Sequence, residues 1–376
     1  MTALHSSISL LLTGLYLLVL VYLIKGWSNL KRPKPARIAP LTKVTVLMAA
    51  RNEEERITYT IDDILAQDYP QYLTEIIIVD DHSTDRTAEI IRSYADRGVK
   101  LLQLNEDKPL NSYKKKAIAM AISLSNGSLM VATDADCRMG TKWLSSIVSY
   151  FETTNSVMIS SPVTYFEERN LFEYMQTLEF AYLIGIGAAF IGNGRASTCN
   201  GANLAYRKDV FYEVGGFKGI DDLASGDDEL LLQKVAERYP GRIGFLKSQE
   251  AIVYTHAKHT LNELLQQRRR WASKSTKYKD KKVVALAVGI WLFNVSLLVN
   301  GLLSFYDIYF LKVFAIQFLL KYLFEVAFLL PITGFFKRAK LVGLLLLLSP
   351  LHIIYFVYIG LLGNTRKYVW KGRVVR

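Results

Sequence analysis

Four short polar motifs follow one another along the middle of this chain, and each carries acidic or cationic side chains. They are DDHSTD at 80–85, DAD at 134–136, GDD at 226–228 and QRRRW at 267–271. A single DxD is a weak signal, because any surface loop can carry one. Four such motifs in order, each at a strand end or helix start, indicate a site that holds a metal-bound diphosphate, activates a hydroxyl group and stabilises a departing anion.

The DAD motif begins at the last residue of the segment SLMVATD, which predicts a buried strand ending in a sharp turn. Hard divalent cations such as Mg²⁺ and Mn²⁺ take carboxylate oxygens and commonly complete their shell with diphosphate oxygens. We therefore expect a divalent metal as cofactor, with Asp136 as its ligand and Asp134 beside the diphosphate. Taken alone, the same three residues are more typical of a solvated turn or a helix cap.

The DDHSTD motif also follows an apolar strand, and its residues divide between binding and structure. Asp80 or Asp81 is placed to accept hydrogen bonds from a uracil N–H or from ribose hydroxyls. Asp85 belongs to a group that would cap the next helix, and His82 is expected in the turn. The motif therefore predicts a nucleotide contact at its first two residues.

The GDD motif places carboxylates at the start of a predicted helix. An acceptor hydroxyl group must lose its proton to a general base as it attacks. We assign Asp228 as this base, and Asp227 and Glu229 as positioning or capping groups. The alternative is that these acids serve only the helix, since the helix dipole favours carboxylates in a first turn.

The QRRRW motif is expected to bring Gln267, Arg270 and Trp271 close together on one helix. Arginine can chelate diphosphate oxygens, and an indole can stack on a sugar or close the acceptor opening. The alternative is a cluster of arginines on the membrane surface, which is the role we expect for Arg268 and Arg269.

Apolar strands alternate with amphipathic helices through the first half of the central region. This order predicts an α/β fold with a parallel sheet covered by helices on both faces, in which ligands bind beyond the carboxyl ends of the strands. The second half is mixed, so the sheet as a whole is expected to be mixed, and a helix at 168–190 is expected in the membrane interface or under the domain. The predicted strands are 44–50, 75–81, 99–104, 128–134 and 157–166, with a short one in 198–207; the predicted helices are 53–67 (opened by Asn52), 84–97, 112–125, the segment after GDD, and 260–275.

Four apolar segments lie outside this region, at 8–24, 283–306, 311–336 and 341–363. Each is near the roughly 20 residues that cross a bilayer core. The first has no basic start and no small-residue cleavage site, so we expect a retained anchor rather than a signal peptide.

The net charge of +12 is concentrated beside these apolar segments. Basic residues next to apolar spans mark the cytoplasmic side of a membrane and attract anionic lipids. No zinc-finger or recognition-helix pattern accompanies them, so we expect a multi-pass protein of the cell (inner) membrane, with a cytoplasmic catalytic domain and no nucleic-acid partner. Three full spans after the domain would leave the basic tail outside, so 311–336 or 341–363 is expected to be re-entrant or interfacial. The basic groups are Lys31, Arg32, Lys34, Arg37 and Lys43; Arg268, Arg269, Arg270, Lys274, Lys277, Lys279, Lys281 and Lys282; and Arg366, Lys367, Lys371, Arg373 and Arg376.

The cysteines and histidines do not suggest a further metal site. Cys137 and Cys199 are too few for a disulfide framework, which fits a reducing compartment, and we expect them to be small buried thiols. His256 and His259 have no third ligand nearby, whereas zinc needs three or four.

Together these motifs resemble the membrane-anchored branch of the family 2 glycosyltransferases, over 41–271 and the flanking membrane segments. The segments that carry the resemblance are AARNEEE, DDHSTD, YKKKAIAMAI at 113–122, TDADC, CNGANLAYR, GDDE and QRRRW. The resemblance implies a GT-A type nucleotide-binding domain, an inverting mechanism and a divalent metal. The chain departs from the family at Ala49-Ala50-Arg51-Asn52-Glu53, where a proline is usual, and at Gly226-Asp227-Asp228, where threonine-glutamate-aspartate is usual.

The resemblance also implies roles for individual residues. Those implied at the donor are Glu53, Asp81, Lys116, Asp134 and Asp136. Asp228 is implied as the base, and Gln267, Arg270 and Trp271 as the donor and acceptor contacts of the final motif. The CNGANLAYR segment is implied to contribute Asn200, Gly201 and Asn203 to the acceptor region.

The function this resemblance implies is transfer of one sugar from a nucleotide-sugar, expected to be a UDP-sugar, to a lipid or glycan acceptor near the membrane. One alternative is a processive polysaccharide synthase, although four apolar segments are few for a secreting channel. Another is a catalytically silent membrane protein that binds nucleotide or partner subunits. The expected division is an anchor at 1–27, a basic linker at 28–43, a catalytic domain at 44–271, a basic juxtamembrane segment at 272–282, a membrane region at 283–365 and a basic tail at 366–376.

Overall fold

A computed structural model describes residues 2–33, 41–106, 110–223, 225–273, 281–362, 368–370 and 373–375. The chain divides into two units, which are described separately. The sheet unit comprises Asn29–Glu168, Phe190–Ala257 and Lys367–Arg376, and the apolar unit comprises Met1–Ser28, Arg169–Ala189 and Lys258–Arg366. Several expected basic residues lie outside the described residues, namely Lys34, Arg37, Lys274, Lys277, Lys279, Arg366, Lys367, Lys371 and Arg376.

The sheet unit is built on a seven-stranded mixed sheet in the order β3-β2-β1-β4-β8-β6-β9. β1 to β4 are mutually parallel, β8 runs antiparallel to both β4 and β6, and β9 is parallel to β6. A second sheet has the order β5-β10-β7, and β11 pairs with β12. The strands are β1 Val44–Ala50, β2 Thr74–Asp80, β3 Val99–Gln103, β4 Leu129–Ala132, β5 Arg138–Met139, β6 Met158–Ser160, β7 Val163–Tyr165, β8 Leu204–Arg207, β9 Ile243–Phe245, β10 Val253–Thr255, β11 Tyr368–Trp370 and β12 Arg373–Val375.

Helices α1 to α12 complete the chain, with short 3-10 turns between some of them. They are α1 Thr2–Asn29, α2 Ile57–Leu65, α3 Thr87–Arg92, α4 Tyr113–Leu124, α5 Trp143–Thr153, α6 Leu171–Gly192, α7 Lys208–Glu213, α8 Glu229–Arg238, α9 Leu261–Ser273, α10 Lys281–Leu303, α11 Ile308–Phe335 and α12 Leu345–Leu362. The mixed α/β fold predicted from the sequence is confirmed.

The central strands are buried on both faces, as the unbroken apolar runs predicted. Val46 and Leu47 of β1 point to opposite faces of the sheet, and both have no exposed surface. Such two-sided burial is typical of parallel strands covered by helices. The carboxyl ends of β1, β2 and β4 therefore meet at one edge of a rigid sheet.

Two element boundaries differ from the sequence-based expectation. The helix expected from residue 53 begins at Ile57, because Asn52 has a φ of +50° and the acidic residues after it form a turn. The single strand expected at 157–166 is two strands in different sheets. Pro162 lies between them, and proline cannot donate to a strand ladder.

Among the described residues, five helices are long and apolar enough to cross a membrane, judged by length and composition alone. They include the segment predicted as interfacial, and α12 continues through Pro350 rather than breaking there. The interfacial or re-entrant placement of any one segment stays a prediction. The five are Leu4–Asn29, Leu171–Gly192, Val284–Leu303, Ile308–Phe335 and Ala339–Leu361.

Two charged residues of α11, Lys321 and Glu325, are paired inside the apolar unit. Lys321 Nζ lies 2.6 Å from Glu325 Oε2 one turn further along the helix, and both side chains are almost fully buried. Tyr16 of α1 donates a hydrogen bond of 2.5 Å to the same carboxylate. An ion pair of this kind compensates the isolated charge that makes ionisable groups costly in a membrane. The hydrogen bond from Tyr16 joins α1 to α11.

Candidate active site

The carboxyl ends of β2 and β4, the first turn of α4 and the start of α8 bring polar side chains to one edge of the sheet unit. Lys114, Asp227 and Asp228 line a small pocket there with Gly201 and Tyr206. Three of the four motifs seen in the sequence lie in this unit. Their placement beyond the strand ends follows the general rule for parallel α/β sheets.

Lys114 joins the DAD and GDD motifs. Its Nζ lies 2.8 Å from Asp134 Oδ1 and 3.1 Å from Asp227 Oδ2. Burial alone would lower the pKa of Lys114, but the charges of Asp134 and Asp227 outweigh burial and hold this pKa well above its ordinary value. The lysine therefore stays protonated and places a fixed positive charge between two acidic loops.

Lys116, which the resemblance implies at the donor, is not the lysine that bridges the two motifs, and its contact with the donor stays a prediction. The Nζ of Lys116 lies 3.8 Å from Glu106 Oε1, and its side chain is 54% exposed. Successive residues of a helix are rotated by about 100°, so two steps along the run KKK change the face. Lys114 was not singled out from the sequence because no local pattern shows which lysine of the run faces the two acidic motifs.

Asp228 is the N-cap of α8. Its Oδ1 accepts a 2.6 Å hydrogen bond from the Glu229 N–H, and its Oδ2 accepts one of 3.0 Å from the Gly201 N–H. A Cβ at Gly201 would lie 3.3 Å from the Cβ of Asp228, so the glycine permits this close approach. The capping role expected for Asp227 is therefore wrong, since Asp228 caps the helix and Asp227 pairs with Lys114.

Asp80 ends β2 and Asp81 directly follows it, and both are almost completely buried. Asp80 Oδ1 accepts a 3.3 Å hydrogen bond from the Ser83 N–H, and Asp81 Oδ1 lies 3.1 Å from His82 Nδ1. His82 has a φ of +53°, which confirms its place in the turn. Both carboxylates thus face the loop that follows β2, where the nucleotide contact was predicted.

Asp85 has the structural role expected of it. Its Oδ1 accepts hydrogen bonds from the N–H and the hydroxyl group of Thr87 at 3.0 and 2.6 Å, and its Oδ2 accepts one from the Glu54 N–H. Burial would raise the pKa of Asp85, but these bonds outweigh it and lower the pKa. Glu53 joins the same loop, because its N–H donates a 2.8 Å hydrogen bond to the Thr87 hydroxyl.

Two residues expected in the acceptor region, Asn200 and Asn203, form side-chain hydrogen bonds within the sheet unit. Asn200 caps a 3-10 turn by accepting a hydrogen bond from the Ala202 N–H. Asn203 is fully buried, donates from Nδ2 to the carbonyl groups of Pro162 and Ala251, and accepts from Trp143 Nε1. These hydrogen bonds hold the sheet unit together, and a place for Asn203 in the acceptor region stays a prediction.

The DAD turn offers oxygen ligands to a cation. Asp136 is partly exposed, and its Oδ1 lies 3.9 Å from the Cys137 thiol, a weak donor. Burial and the nearby Asp136 raise the pKa of that thiol, so it stays protonated. No three His, Cys, Asp or Glu side chains converge on an ion position within the described residues. Two carboxylates still fit a Mg²⁺-like ion, which is commonly bound by one or two carboxylates plus substrate phosphates.

The QRRRW motif lies on α9 in the apolar unit, where Arg268 is the central residue. This side chain is only 4% exposed and forms an ion pair of 2.9 Å with Glu179 of α6. It also donates a 2.7 Å hydrogen bond to Gln267 Oε1, and its guanidinium lies 4.3 Å from the centroid of the Trp271 ring. A membrane-surface role for Arg268 is therefore wrong. Arg269 donates to the Tyr358 hydroxyl, and Arg270 lies on the same helix.

Part of this chain matches a known protein family. Residues 45–215 match the family model described as Glycosyl transferase family 2. The probable glycosyltransferase YdaM of Bacillus subtilis is 28% identical over 284 residues, 70% of this chain and 64% of that protein. Beta-monoglucosyldiacylglycerol synthase of a Nostoc species is 30% identical over 109 residues, 29% of this chain and 23% of that protein.

Among solved structures, mannosyltransferase PcManGT from Pyrobaculum calidifontis, in complex with GDP-Man and Mn²⁺, superposes with a TM-score of 0.57. That similarity covers 86% of this chain and 97% of the mannosyltransferase at 19% identity, so it supports a shared fold only. The matches to the two curated relatives span less than two thirds of their lengths. Residues 45–215 therefore carry a glycosyl transferase family 2 domain, and the sheet unit has a mixed α/β fold of the GT-A type.

Proposed function

We propose that this chain is an inverting hexosyltransferase that moves one sugar from a nucleotide-sugar to a lipid or other membrane-proximal acceptor. The observation that carries the proposal is the bridge from Lys114 to Asp134 and Asp227. It brings a diphosphate-binding motif and a candidate base motif to one pocket, as transfer from a nucleotide-sugar requires. The family 2 domain supports the same reaction class.

In the proposed reaction, Asp228 accepts the proton of the acceptor hydroxyl group. The acceptor oxygen forms a bond to the anomeric carbon on the face opposite the leaving group. The bond from that carbon to the diphosphate oxygen breaks, and its electron pair leaves with the nucleoside diphosphate. The two N–H groups that hold the Asp228 carboxylate fix its direction, which favours proton transfer to a positioned base.

The donor is proposed to be a UDP-sugar, held through Asp80 or Asp81 at the base and ribose. Lys114 is proposed to turn its positive charge toward the diphosphate once the donor is bound. Asp134 and Asp136 would hold Mg²⁺ or Mn²⁺, which supplies positive charge to the departing diphosphate. The family resemblance, rather than any distance, assigns Gln267, Arg270 and Trp271 to donor and acceptor.

A lipid acceptor is supported by the apolar helices and by a relative's name. Five described helices are long enough to span a membrane, and one relative is named for a glucosyldiacylglycerol product. We propose a multi-pass protein of the cell (inner) membrane with its sheet unit in the cytoplasm. The basic residues that flank the apolar segments support this orientation.

The proposal is tested with full-length protein purified in detergent. UDP-sugars and GDP-sugars are screened with and without Mn²⁺ for an increase in the thermal unfolding midpoint, which a bound ligand raises by mass action. The stabilising donor is then incubated with diacylglycerol or a polyprenyl phosphate, and labelled sugar is counted in the organic phase. Labelled lipid and released nucleoside diphosphate are expected. Donor binding without release or transfer would instead favour the catalytically silent alternative.

A processive polysaccharide synthase is the second candidate. The observation in its favour is α6, which adds a fifth helix of spanning length to the four apolar segments seen in the sequence. Product length separates the two candidates, because a single transfer gives one product and a processive enzyme gives a ladder of long ones.

A further inference from the structure

We infer that Lys115 is a positioning residue for the Asp227–Asp228 pair. Its ammonium group holds the carbonyl groups of Ile220, Leu223 and Ser225, which precede the GDD turn. The inference rests on the proposed function, because it concerns the carboxylates proposed to hold Lys114 and to accept the proton. Neither the motif resemblance nor the sequence pattern singled out this lysine.

The first observation is the way the ammonium group of Lys115 is bound. Its Nζ donates to three carbonyl groups, at 2.7 Å to Ile220, 2.6 Å to Leu223 and 2.7 Å to Ser225. The side chain is 1% exposed. An ammonium group has three N–H donors, and all three are used on one short loop. Lys115 therefore acts on the loop, and has no donor left for a substrate.

The second observation is where this loop leads. Ser225 directly precedes Gly226, whose φ of +86° makes the sharp turn into Asp227 and Asp228. A Cβ at Gly226 would lie 2.8 Å from a Leu230 side-chain carbon, so the turn is tightly packed against α8. A displacement of the Ser225 carbonyl is therefore passed within two or three residues to both carboxylates.

The third observation is that two neighbouring residues of α4 act on the same motif. Lys114 holds the side chain of Asp227, and Lys115 holds the backbone just before it. The base motif is thus fixed to α4 at two points, one by charge and one by carbonyl hydrogen bonds. The rotation of about 100° between successive helical residues lets adjacent lysines point to these two targets.

The charge of Lys115 fits this role. Burial lowers its pKa to about 8, while the charges of Asp227, Asp228, Asp222 and Asp221 act in the opposite direction. A buried cation is costly unless it is hydrogen-bonded and its charge is compensated. An apolar side chain would fill the same space without this cost. What the ammonium group adds is the three-point hold on the loop.

The test compares Lys115→Met with the wild type in full-length protein. We expect kcat to fall by about 10- to 100-fold, because small misplacements of catalytic groups have effects of this size. The KM for the nucleotide-sugar should change by less than about threefold, since transition-state geometry rather than donor binding is lost. Hydrogen–deuterium exchange should become faster over residues 220–228 in the protein without substrate. Lys115→Arg, which keeps charged donors, should recover part of both effects.

The matched control is Lys208→Met. Lys208 Nζ also donates to a main-chain carbonyl, that of Ser125 at 2.5 Å, but it lies at the opposite edge of the sheet beside the amino end of β4. Its variant should keep kcat and the exchange of residues 220–228. Both variants are compared by thermal unfolding so that loss of the fold is recognised.

The outcomes separate this inference from the proposed function. Unchanged exchange over 220–228 in Lys115→Met, or an equal loss of kcat in Lys208→Met, would overturn the positioning role. If Asp228→Asn kept full turnover, the proposed function would fail, while the exchange measurement would still decide whether Lys115 holds the loop. A fold lost in Lys115→Met but intact, with normal kcat and exchange, in Lys115→Gln would also overturn the inference.

Discussion

Arg268 and Glu179 form a buried ion pair with two hydrogen bonds inside the apolar unit. The Nε and Nη2 atoms of Arg268 lie 3.2 and 2.9 Å from the two carboxylate oxygens of Glu179. The same guanidinium contacts Gln267 and Trp271, two residues of the QRRRW motif. Glu179 therefore fixes the position of Arg268. Arg268 in turn contacts Gln267 and Trp271, two motif residues to which the resemblance gives roles.

Glu179→Ala is expected to leave the Arg268 charge buried and unpaired. Breaking a buried pair from one side typically costs about 3–5 kcal/mol, whereas replacing both partners by apolar residues is often neutral. The thermal unfolding midpoint should therefore fall for Glu179→Ala and recover in the double variant Glu179→Leu/Arg268→Met. Equal midpoints for the single and double variants would show that the pair is not coupled. The exposed Glu263 of α9 provides the control, as Glu263→Ala.

Lys114→Met tests which lysine of the KKK run serves the site. It removes the charge between Asp134 and Asp227 and should weaken donor binding by about 10- to 100-fold, the value of one charged hydrogen bond. Lys116→Met is expected to cost less, because that side chain is half-exposed beside Glu106. Isothermal titration with the stabilising nucleotide-sugar measures both. If Lys116→Met weakened donor binding more than Lys114→Met, Lys116 would be the donor-binding lysine, as the resemblance implies.

Asp136→Ala tests the metal site. The side chain belongs to a partly exposed turn, so the fold should be kept while Mn²⁺-dependent donor binding is lost. The measurement is the donor-induced rise in unfolding midpoint, with Mn²⁺ and then with EDTA. In the wild type EDTA should abolish the rise, and in the variant Mn²⁺ should no longer restore it. An unchanged response in the variant would remove DAD from the mechanism.

Glu75 provides a pH-dependent test of the sheet. Burial would raise its pKa, but hydrogen bonds from Lys100, Asn126 and Thr45 outweigh burial and lower the pKa from 4.5 to about 2. A depressed acid pKa stabilises the fold above the unfolded value, near 4.5, and this stabilisation is lost as the pH falls toward 2. The unfolding midpoint of the wild type should therefore fall more steeply between pH 5 and 2 than that of Glu75→Gln. Parallel curves would contradict this assignment.

The parallel half of the fold was predictable because buried parallel strands have unbroken apolar sequences, as in VTVLMAA and EIIIVD. The placement of Asp80, Asp81, Asp134 and Asp136 followed from the same rule. Roles that depend on side-chain direction were not predictable. The sequence could not separate Lys114 from Lys116, or the N-cap Asp228 from its neighbour, because each choice is decided by contacts from distant segments.

The buried partners were hidden for a related reason. The sequence around Asn203 predicts a polar loop residue, yet its side chain is buried and hydrogen-bonded to Trp143 and two main-chain carbonyl groups. From the sequence alone Arg268 is one of several arginines expected at the surface, but in the structure it is buried and paired with Glu179. In both cases the partners lie more than forty residues away in the chain, and no local pattern marks them.

The central claim is that Asp228 accepts the proton of the acceptor, and Asp228→Asn tests it most directly. The amide keeps the shape of the side chain and removes its basicity, and general-base assistance is worth about 10²–10⁴ in rate. Turnover of the variant should fall by that factor, while titration gives near-normal affinity for the nucleotide-sugar. Asp227→Asn should cost less turnover. Full activity of Asp228→Asn, with an unchanged unfolding midpoint, would contradict the account.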